Sequence, residues 1–124
     1  NFLMSKYKKL LSKTKKVRKL YDEKLFKLGI SSIQPQSDTI SNNHKFVIKV
    51  QDRDNLKAYL ETKNIQSQIH YALPLSKMKM FHTDQQMPNA EKFCGDVLSL
   101  PIHPFLEDYE VAYVCKCIGE FYGV

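Results

Sequence analysis

The residues best suited to bind a polar ligand form a short row around His70. Gln66, Gln68 and His70 alternate along the chain with a second set, Ile65, Ser67, Ile69 and Tyr71. In a β-strand, successive side chains point to opposite faces of the sheet, so the polar set shares one face, and the set that contains Ile65, Ile69 and Tyr71 is predicted to face the core. Imidazole and amide groups both donate and accept hydrogen bonds. The pattern predicts that His70 contacts a polar ligand; the alternative is a face that is only solvated.

No second chemical signature completes an active site around this row. The sequence has no Gly-rich phosphate loop, no nucleophile elbow and no His-Glu-x-x-His zinc motif. The histidines are widely spaced, at positions His44, His70, His82 and His103. A metal site needs several convergent ligands. We therefore expect no metal.

Three cysteines indicate free thiols rather than a disulfide framework. Cys94, Cys115 and Cys117 leave one residue over in any pairing. Cys115 and Cys117 are two positions apart in a helical pattern, which turns them to different sides of the helix. No apolar run approaches the roughly 20 residues that cross a bilayer, and no signal-peptide layout opens the sequence. The expectation is a cytoplasmic protein with no membrane association.

Positive charge is concentrated at one end of the chain. The net charge is +6, and residues 1–28 hold ten of the 19 Lys and Arg but only Asp22 and Glu23 of the 13 acids. Such lysines could neutralise phosphates. However, they are spread around the polar arc of a helix, and no nucleic-acid-reading motif accompanies them. We predict a solvated lysine face and no nucleic-acid partner.

The basic segment is predicted to be a long amphipathic helix. Apolar residues recur at steps of three and four over residues 5–28, with Ser5 as the N-terminal cap and Gly29 beyond the end. Residues 31–43 are polar, contain Pro35 and are predicted to form a loop.

The rest of the chain alternates between strand and helix patterns. The predicted order is a strand from Phe46 to Val50, a helix from Asp52 to Asn64, a strand at 65–71, a loop at 76–87, a helix at 89–98, a strand at 98–102 and a helix at 107–121. If the third strand inserts between the first two, the sheet is antiparallel. The predicted fold is α+β: a small antiparallel sheet with helices packed on one face, preceded by a long amphipathic basic helix.

Four blocks of residues, in a fixed order, are similar to a known family. They are His44-Lys45-Phe46-Val47-Ile48, Arg53-Asp54-Asn55-Leu56, Ile69-His70-Tyr71 with Pro74-Leu75, and Pro88-Asn89-Ala90-Glu91 followed by Val97-Leu98-Ser99-Leu100-Pro101-Ile102-His103-Pro104. Together they resemble the C-terminal small domain of the DegT–DnrJ–StrS family of sugar aminotransferases, PLP-dependent enzymes of fold type I. Ala72 and Ser76 depart from the family pattern, which has proline and often histidine at these positions.

The resemblance implies a division of the chain and a set of ligand contacts. Residues 1–30 would be a connecting helix, residues 31–43 a linker loop and residues 44–124 the small domain. His70, Tyr71 and His44 would lie near the substrate. Asn1-Phe2-Leu3-Met4-Ser5 resembles the family's Asn-x-Arg-Met-Ser, with Leu3 in place of arginine. This motif implies a contact between Asn1 and the cofactor phosphate across a dimer.

The resemblance implies PLP for the intact enzyme but not for this chain alone. The family's Schiff-base lysine, pyridinium-binding Asp and cofactor-stacking aromatic belong to a large domain that this sequence does not contain. We therefore expect a substrate-side domain or fragment, inactive alone, whose parent reaction transfers an amino group from glutamate to a keto-sugar nucleotide. Its partners would be the sugar nucleotide and either a second copy or a separate large-domain chain. The alternative is a free-standing dimerisation or interaction module that uses helix 5–28.

Overall fold

A computed structural model of the chain describes residues 2–81 and 83–124, with side-chain surroundings from Met4 onward. Asn1, an expected cofactor contact, and His82 lie outside the described residues. The elements, in chain order, are α1 (Phe2–Lys27), β1 (Ser31–Ser32), β2 (Phe46–Lys49), α2 (Arg53–Thr62), two 3-10 turns (Leu75–Lys77 and Lys79–Phe81), α3 (Pro88–Asp96), β3 (Val97–Leu100) and α4 (Asp108–Tyr122). Among the described helices, none is long and apolar enough to cross a membrane.

The three strands form an antiparallel sheet in the order β1-β2-β3. Phe46 lies opposite Leu100, and Ile48 lies opposite Leu98, so these four side chains share one face. All four are buried in a single core with the apolar sides of the helices. The α+β fold is as predicted, with the long basic helix at its start.

The predicted strand at 65–71 is an extended segment with one bridge rather than a full strand. Gln68 pairs antiparallel with Ser99 of β3 through backbone N···O distances of 3.0 and 2.9 Å. Strand β3 therefore lies between β2 and this segment, and the expected insertion is confirmed. Ile65 is buried as predicted, but the chain bends beyond the bridge, and Tyr71 is 66% exposed instead of lying on the core face.

Helix α1 contributes to the core with its C-terminal half only. Val17, Tyr21 and Leu25 are buried, and the Tyr21 ring stacks on Phe46 with centroids 4.8 Å apart. Tyr7, nearer the N-terminus, is 49% exposed. The apolar stripe therefore continues beyond the surface that it covers within this chain.

The helix begins earlier than predicted, at Phe2, so Ser5 is an internal residue and not the cap. Nothing in residues 2–5 disfavours helix, since the sequence contains neither Gly nor Pro there. At the other end Gly29 has a φ of 70°, the left-handed conformation expected after a helix. Ser31–Ser32, placed in the loop by the sequence, pairs with β2 as a short edge strand.

The junction of α3 and β3 also differs from the prediction. The helix was expected to run to residue 98, but it ends at Asp96 because Val97 is extended and pairs with Lys49. The strand ends at Leu100 rather than at residue 102, because Pro101 has no N–H to continue the ladder. The region predicted as a loop contains the two 3-10 turns.

Two helix starts show different capping. Asp52 precedes α2 as predicted, but with a φ of 53° its carboxylate accepts a 2.8 Å hydrogen bond from the Asn55 side chain instead of capping the helix. Helix α4 is preceded by a capping box in which the side chains of Glu107 and Glu110 each accept the other residue's backbone N–H.

Buried Arg53 connects α2 to the end of α3. Its side chain is 8% exposed, and Nη1 donates a 2.8 Å hydrogen bond to the carbonyl oxygen of Cys94. Its Nε lies 3.0 Å from the Asp54 carboxylate. The guanidinium therefore satisfies a helix C-terminal carbonyl that has no partner within its own helix.

Candidate functional site

The strand register places polar side chains on the face of the sheet that is turned away from the core. Ser99 lies opposite Val47 in β2 and opposite Gln68 in the extended segment, so the three side chains share this face. His70, two residues beyond Gln68, has its Nδ1 3.0 Å from Ser99 Oγ. The polar row predicted from the sequence therefore lies on the face opposite the core.

This outer face forms a wall of an open cleft of about 560 Å³. The lining residues are His44, Lys45, Gln66, Ser67, Gln68, His70, Ser99, Leu100, Pro101, Ile102 and His103. The structure thus brings together His44 and His70, two of the residues that the resemblance implied to lie near the substrate. It adds two residues that were not singled out as site residues from the sequence, Lys45 and His103, at the same cleft.

Tyr71 lies at the edge of the same region. Its ring centroid is 5.5 Å from the Nζ atom of Lys45, a cation–π distance. The three substrate contacts implied by the resemblance, His44, His70 and Tyr71, are therefore neighbours of one lysine. Asn1, the cofactor contact implied by the resemblance, lies outside the described residues.

His70 favours its neutral form. Its pKa is lowered from the ordinary value, first by desolvation and then by the positive charges of Lys45 and His44. A neutral imidazole has one donor nitrogen and one acceptor nitrogen. At neutral pH the cleft therefore presents one fixed ammonium, that of Lys45, beside an uncharged His70.

The described lining of the cleft carries groups that can bind a polar ligand. Among its described lining residues there is no Asp or Glu, so it lacks the carboxylate that would pair with a histidine in general acid–base chemistry. Among the described residues, no group of three His, Cys, Asp or Glu side chains is placed to hold a metal ion. An ammonium, imidazoles and amides can instead hold phosphoryl or sugar oxygens.

A larger cleft, of about 770 Å³, adjoins the first but has a different character. It lies between the start of the extended segment and α4, and its apolar wall includes Leu106, Tyr109 and Tyr113. None of the three histidines of the first cleft lines it. Size alone would favour this cleft, but it carries one lysine, Lys116, together with the carboxylate of Glu110, whereas the smaller cleft has Lys45 and three histidines without an acidic residue among its described lining.

Comparison with known proteins identifies the family. The sequence model of the DegT/DnrJ/EryC1/StrS aminotransferase family matches residues 3–119. The chain belongs to this family. Family members of known function include the dTDP-3-amino-3,6-dideoxy-alpha-D-galactopyranose transaminase of Aneurinibacillus thermoaerophilus, 36% identical over 80 residues that cover 63% of this chain and 22% of that protein. The UDP-2-acetamido-2-deoxy-3-oxo-D-glucuronate aminotransferase of Pseudomonas aeruginosa is 26% identical over 104 residues, 83% of this chain and 29% of that protein.

Solved structures of the family have the same fold. A DegT DnrJ EryC1 StrS aminotransferase from Brucella abortus superposes with a TM-score of 0.86 over 98% of this chain and 33% of that one, at 24% identity. The S. venezuelae protein DesV, solved in complex with a ketimine intermediate, superposes with a TM-score of 0.86 over 95% of this chain and 33% of that one, at 26% identity. The chain thus spans between a fifth and a third of these family members.

Proposed function

We propose that this chain forms the substrate side of a PLP-dependent nucleotide-sugar aminotransferase and transfers no amino group by itself. The observation that carries the proposal is the outer-face cleft of this family domain, which collects His44, Lys45 and His70. Tyr71, beside Lys45, extends the same surface. These groups match the chemistry of a sugar nucleotide, which offers phosphoryl oxygens to cations and hydroxyl groups to imidazoles.

The parent reaction in this proposal moves an amino group from glutamate to a keto-sugar nucleotide. Two relatives are named as aminotransferases of nucleotide-linked sugars, one of a dTDP-linked sugar and one of a UDP-linked sugar. PLP supplies the electron sink for such chemistry when it is bound. This chain's part would be to hold and orient the nucleotide sugar, as a homodimer or together with a separate large-domain chain.

The two lysines whose pKa is shifted, Lys16 and Lys63, do not fit the role of a PLP-binding residue. A Schiff-base lysine must lose its proton, which requires a lowered pKa. The lysines with a shifted pKa show the opposite: the pKa of Lys16 is raised by its hydrogen bond to Asp108, and that of Lys63 is raised first by Tyr59. Lys45, the lysine of the cleft, has no carboxylate among its described neighbours there to bind a pyridinium nitrogen.

The experiment compares the chain alone with a chimera. The chimera carries residues 3–119 in place of the matching segment of the Aneurinibacillus transaminase. With PLP, glutamate and that enzyme's keto-sugar nucleotide, we expect product from the chimera and none from the isolated chain. Borohydride reduction of the chain with PLP should leave its mass unchanged, and a specific phosphopyridoxyl adduct on one lysine would refute the proposed inactivity. A folded, dimeric but inactive chimera would refute the substrate-side role.

A second candidate function is an interaction module built on α1, and one observation favours it. Met4 and Tyr7 are 64% and 49% exposed, although they continue the buried stripe of the same helix. Two copies meeting through this segment would bring the lysine-rich residues of both helices together, which opposes self-association at low salt. Sedimentation therefore tests it: a dimer that strengthens as salt is raised supports pairing through α1. A monomer at every salt concentration would argue against it.

A further inference from the structure

Ser99 occupies a rigid position beside the imidazole of His70. Its backbone N–H donates to the carbonyl oxygen of Gln68 at 2.9 Å, and its own carbonyl accepts the N–H of Gln68 at 3.0 Å. On the other side it lies opposite Val47 in the sheet. The residue is 8% exposed, and its Oγ is 3.0 Å from His70 Nδ1.

The direction of this hydrogen bond follows from the other groups around the hydroxyl. If Nδ1 carried the proton and donated it, the hydrogen of the part-buried Ser99 hydroxyl would have to find another acceptor. The described residues offer none within hydrogen-bonding distance of Oγ other than Nδ1. Buried donors are rarely left without an acceptor, because the cost is high. This arrangement favours the hydroxyl as the donor and Nδ1 as the acceptor.

We infer that Ser99 is a positioning residue that holds His70 as the neutral tautomer with its proton on Nε2, aimed at an acceptor oxygen of the ligand. No hydrogen bond to Nε2 is formed within the described part of the chain, so this donor is free to meet a ligand. Lys45 and His44 both lower the pKa of His70, which disfavours binding of a second proton at Nδ1. The nitrogen would donate to a phosphoryl or sugar oxygen. The ligand class rests on the proposed function; the tautomer does not.

The tautomer can be measured in this chain by long-range ¹H–¹⁵N NMR of the histidine rings. For His70 we expect one tautomer, with a protonated Nε2 and an unprotonated Nδ1. Ser99→Ala should give averaged ¹⁵N shifts of a two-tautomer mixture, while Ser99→Thr, which keeps a hydroxyl, should preserve the single form. Ser67→Ala is the matched control, because the nearby Ser67 hydroxyl has no hydrogen-bond partner among the described residues.

Several outcomes decide the inference. A proton on Nδ1 in the unchanged chain would overturn it, and this spectrum is decisive even if Ser99→Ala does not fold. A Ser99→Ala spectrum identical to that of the unchanged chain would also overturn it. In the active chimera, Ser99→Ala should lower kcat/KM about threefold to tenfold, the value of one neutral hydrogen bond. An inactive chimera would refute the proposed function and leave the NMR result standing.

Discussion

Replacing Tyr21 by phenylalanine is expected to stabilise the protein, whereas replacing it by alanine should destabilise it strongly. Tyr21 has no exposed surface, and its hydroxyl has no hydrogen-bond partner among the described residues. Burial also raises the pKa of this phenol, as expected for a hydroxyl deprived of solvent. An unpaired buried polar group costs about 1–3 kcal/mol. The small void left by its removal offsets part of the gain, so Tyr21→Phe should raise the free energy of unfolding by about 1 kcal/mol.

The alanine substitution removes the ring itself. Large aromatic truncations in cores cost about 3–5 kcal/mol, and the stack of Tyr21 on Phe46 adds to the loss. Domains of this kind have total stabilities of about 5–15 kcal/mol, so Tyr21→Ala would remove a large part. Urea unfolding followed by circular dichroism measures both changes. The phenylalanine variant should also melt about 4 °C higher.

Either of two results would refute this reasoning. A loss of stability in Tyr21→Phe would mean that the hydroxyl has a partner. A cost well below 1 kcal/mol for Tyr21→Ala would mean that α1 does not pack on the sheet through this ring. Tyr7→Ala is the matched control, because the residue lies on the same helix but is half exposed; its cost should be much smaller.

Further predictions concern the pKa of His70, the contribution of Arg53 to stability and the reactivity of the Cys115 thiol. NMR titration should give His70 a pKa below the ordinary 6.5 or so, and Lys45→Gln should raise it; no change would mean that Lys45 does not face the imidazole. Folding lowers the pKa of His70, so at a pH between its folded and unfolded pKa values the unfolded chain binds more protons. The free energy of unfolding should therefore fall as the pH drops through this window, and it should fall less steeply in His70→Gln. Arg53→Ala should cost about 3 kcal/mol by leaving the Cys94 carbonyl without its donor, and a loss within 0.5 kcal/mol or so would contradict the described anchor. Burial raises the pKa of the Cys115 thiol to about 12, so a thiol reagent at pH 8 should label Cys115 only after urea unfolding; rapid labelling of the native chain would disprove this burial.

The sequence was sufficient for the fold because its periodic patterns are strong. The alternation of Phe46, Ile48 and Val50 predicted β2, and the spacing of apolar residues predicted the long helix. The antiparallel arrangement, with the third strand inserted, is also confirmed. These features depend on which side chains are buried, and the order of apolar and polar residues in the sequence indicates this directly.

Other features depend on contacts that no local pattern records. The predicted start of α1 was wrong. Ser5 could cap the helix only if the helix began there, and residues 2–4 contain no Gly or Pro that would keep the helix from beginning earlier. The edge strand at Ser31–Ser32 was missed because two serines carry no strand signal; only pairing with β2 defines it. Tyr71 was placed on the core face by alternation, which fails once the chain bends.

Some residues of the candidate site could be predicted from the sequence, and others could not. His70 and its polar face followed from alternation alone, and His44 and Tyr71 followed from the resemblance. Ser99 and Lys45 were missed, although Lys45 directly precedes β2 and alternates with the buried Phe46. Their importance comes from the pairing of β3 with two neighbours, which brings residues far apart in the sequence to one face. Whether these residues bind a nucleotide sugar stays a prediction.

The role of the outer-face cleft is tested most directly by one kinetic comparison in the chimera. His70→Ala should lower kcat/KM for the keto-sugar nucleotide about tenfold to a hundredfold, the value of a hydrogen bond to a charged group. Tyr109→Ala, in the larger apolar cleft, should leave kcat/KM within twofold or so of the parent. Equal effects of the two substitutions, or a His70→Ala chimera with full kcat/KM, would contradict the assignment of the substrate to this face.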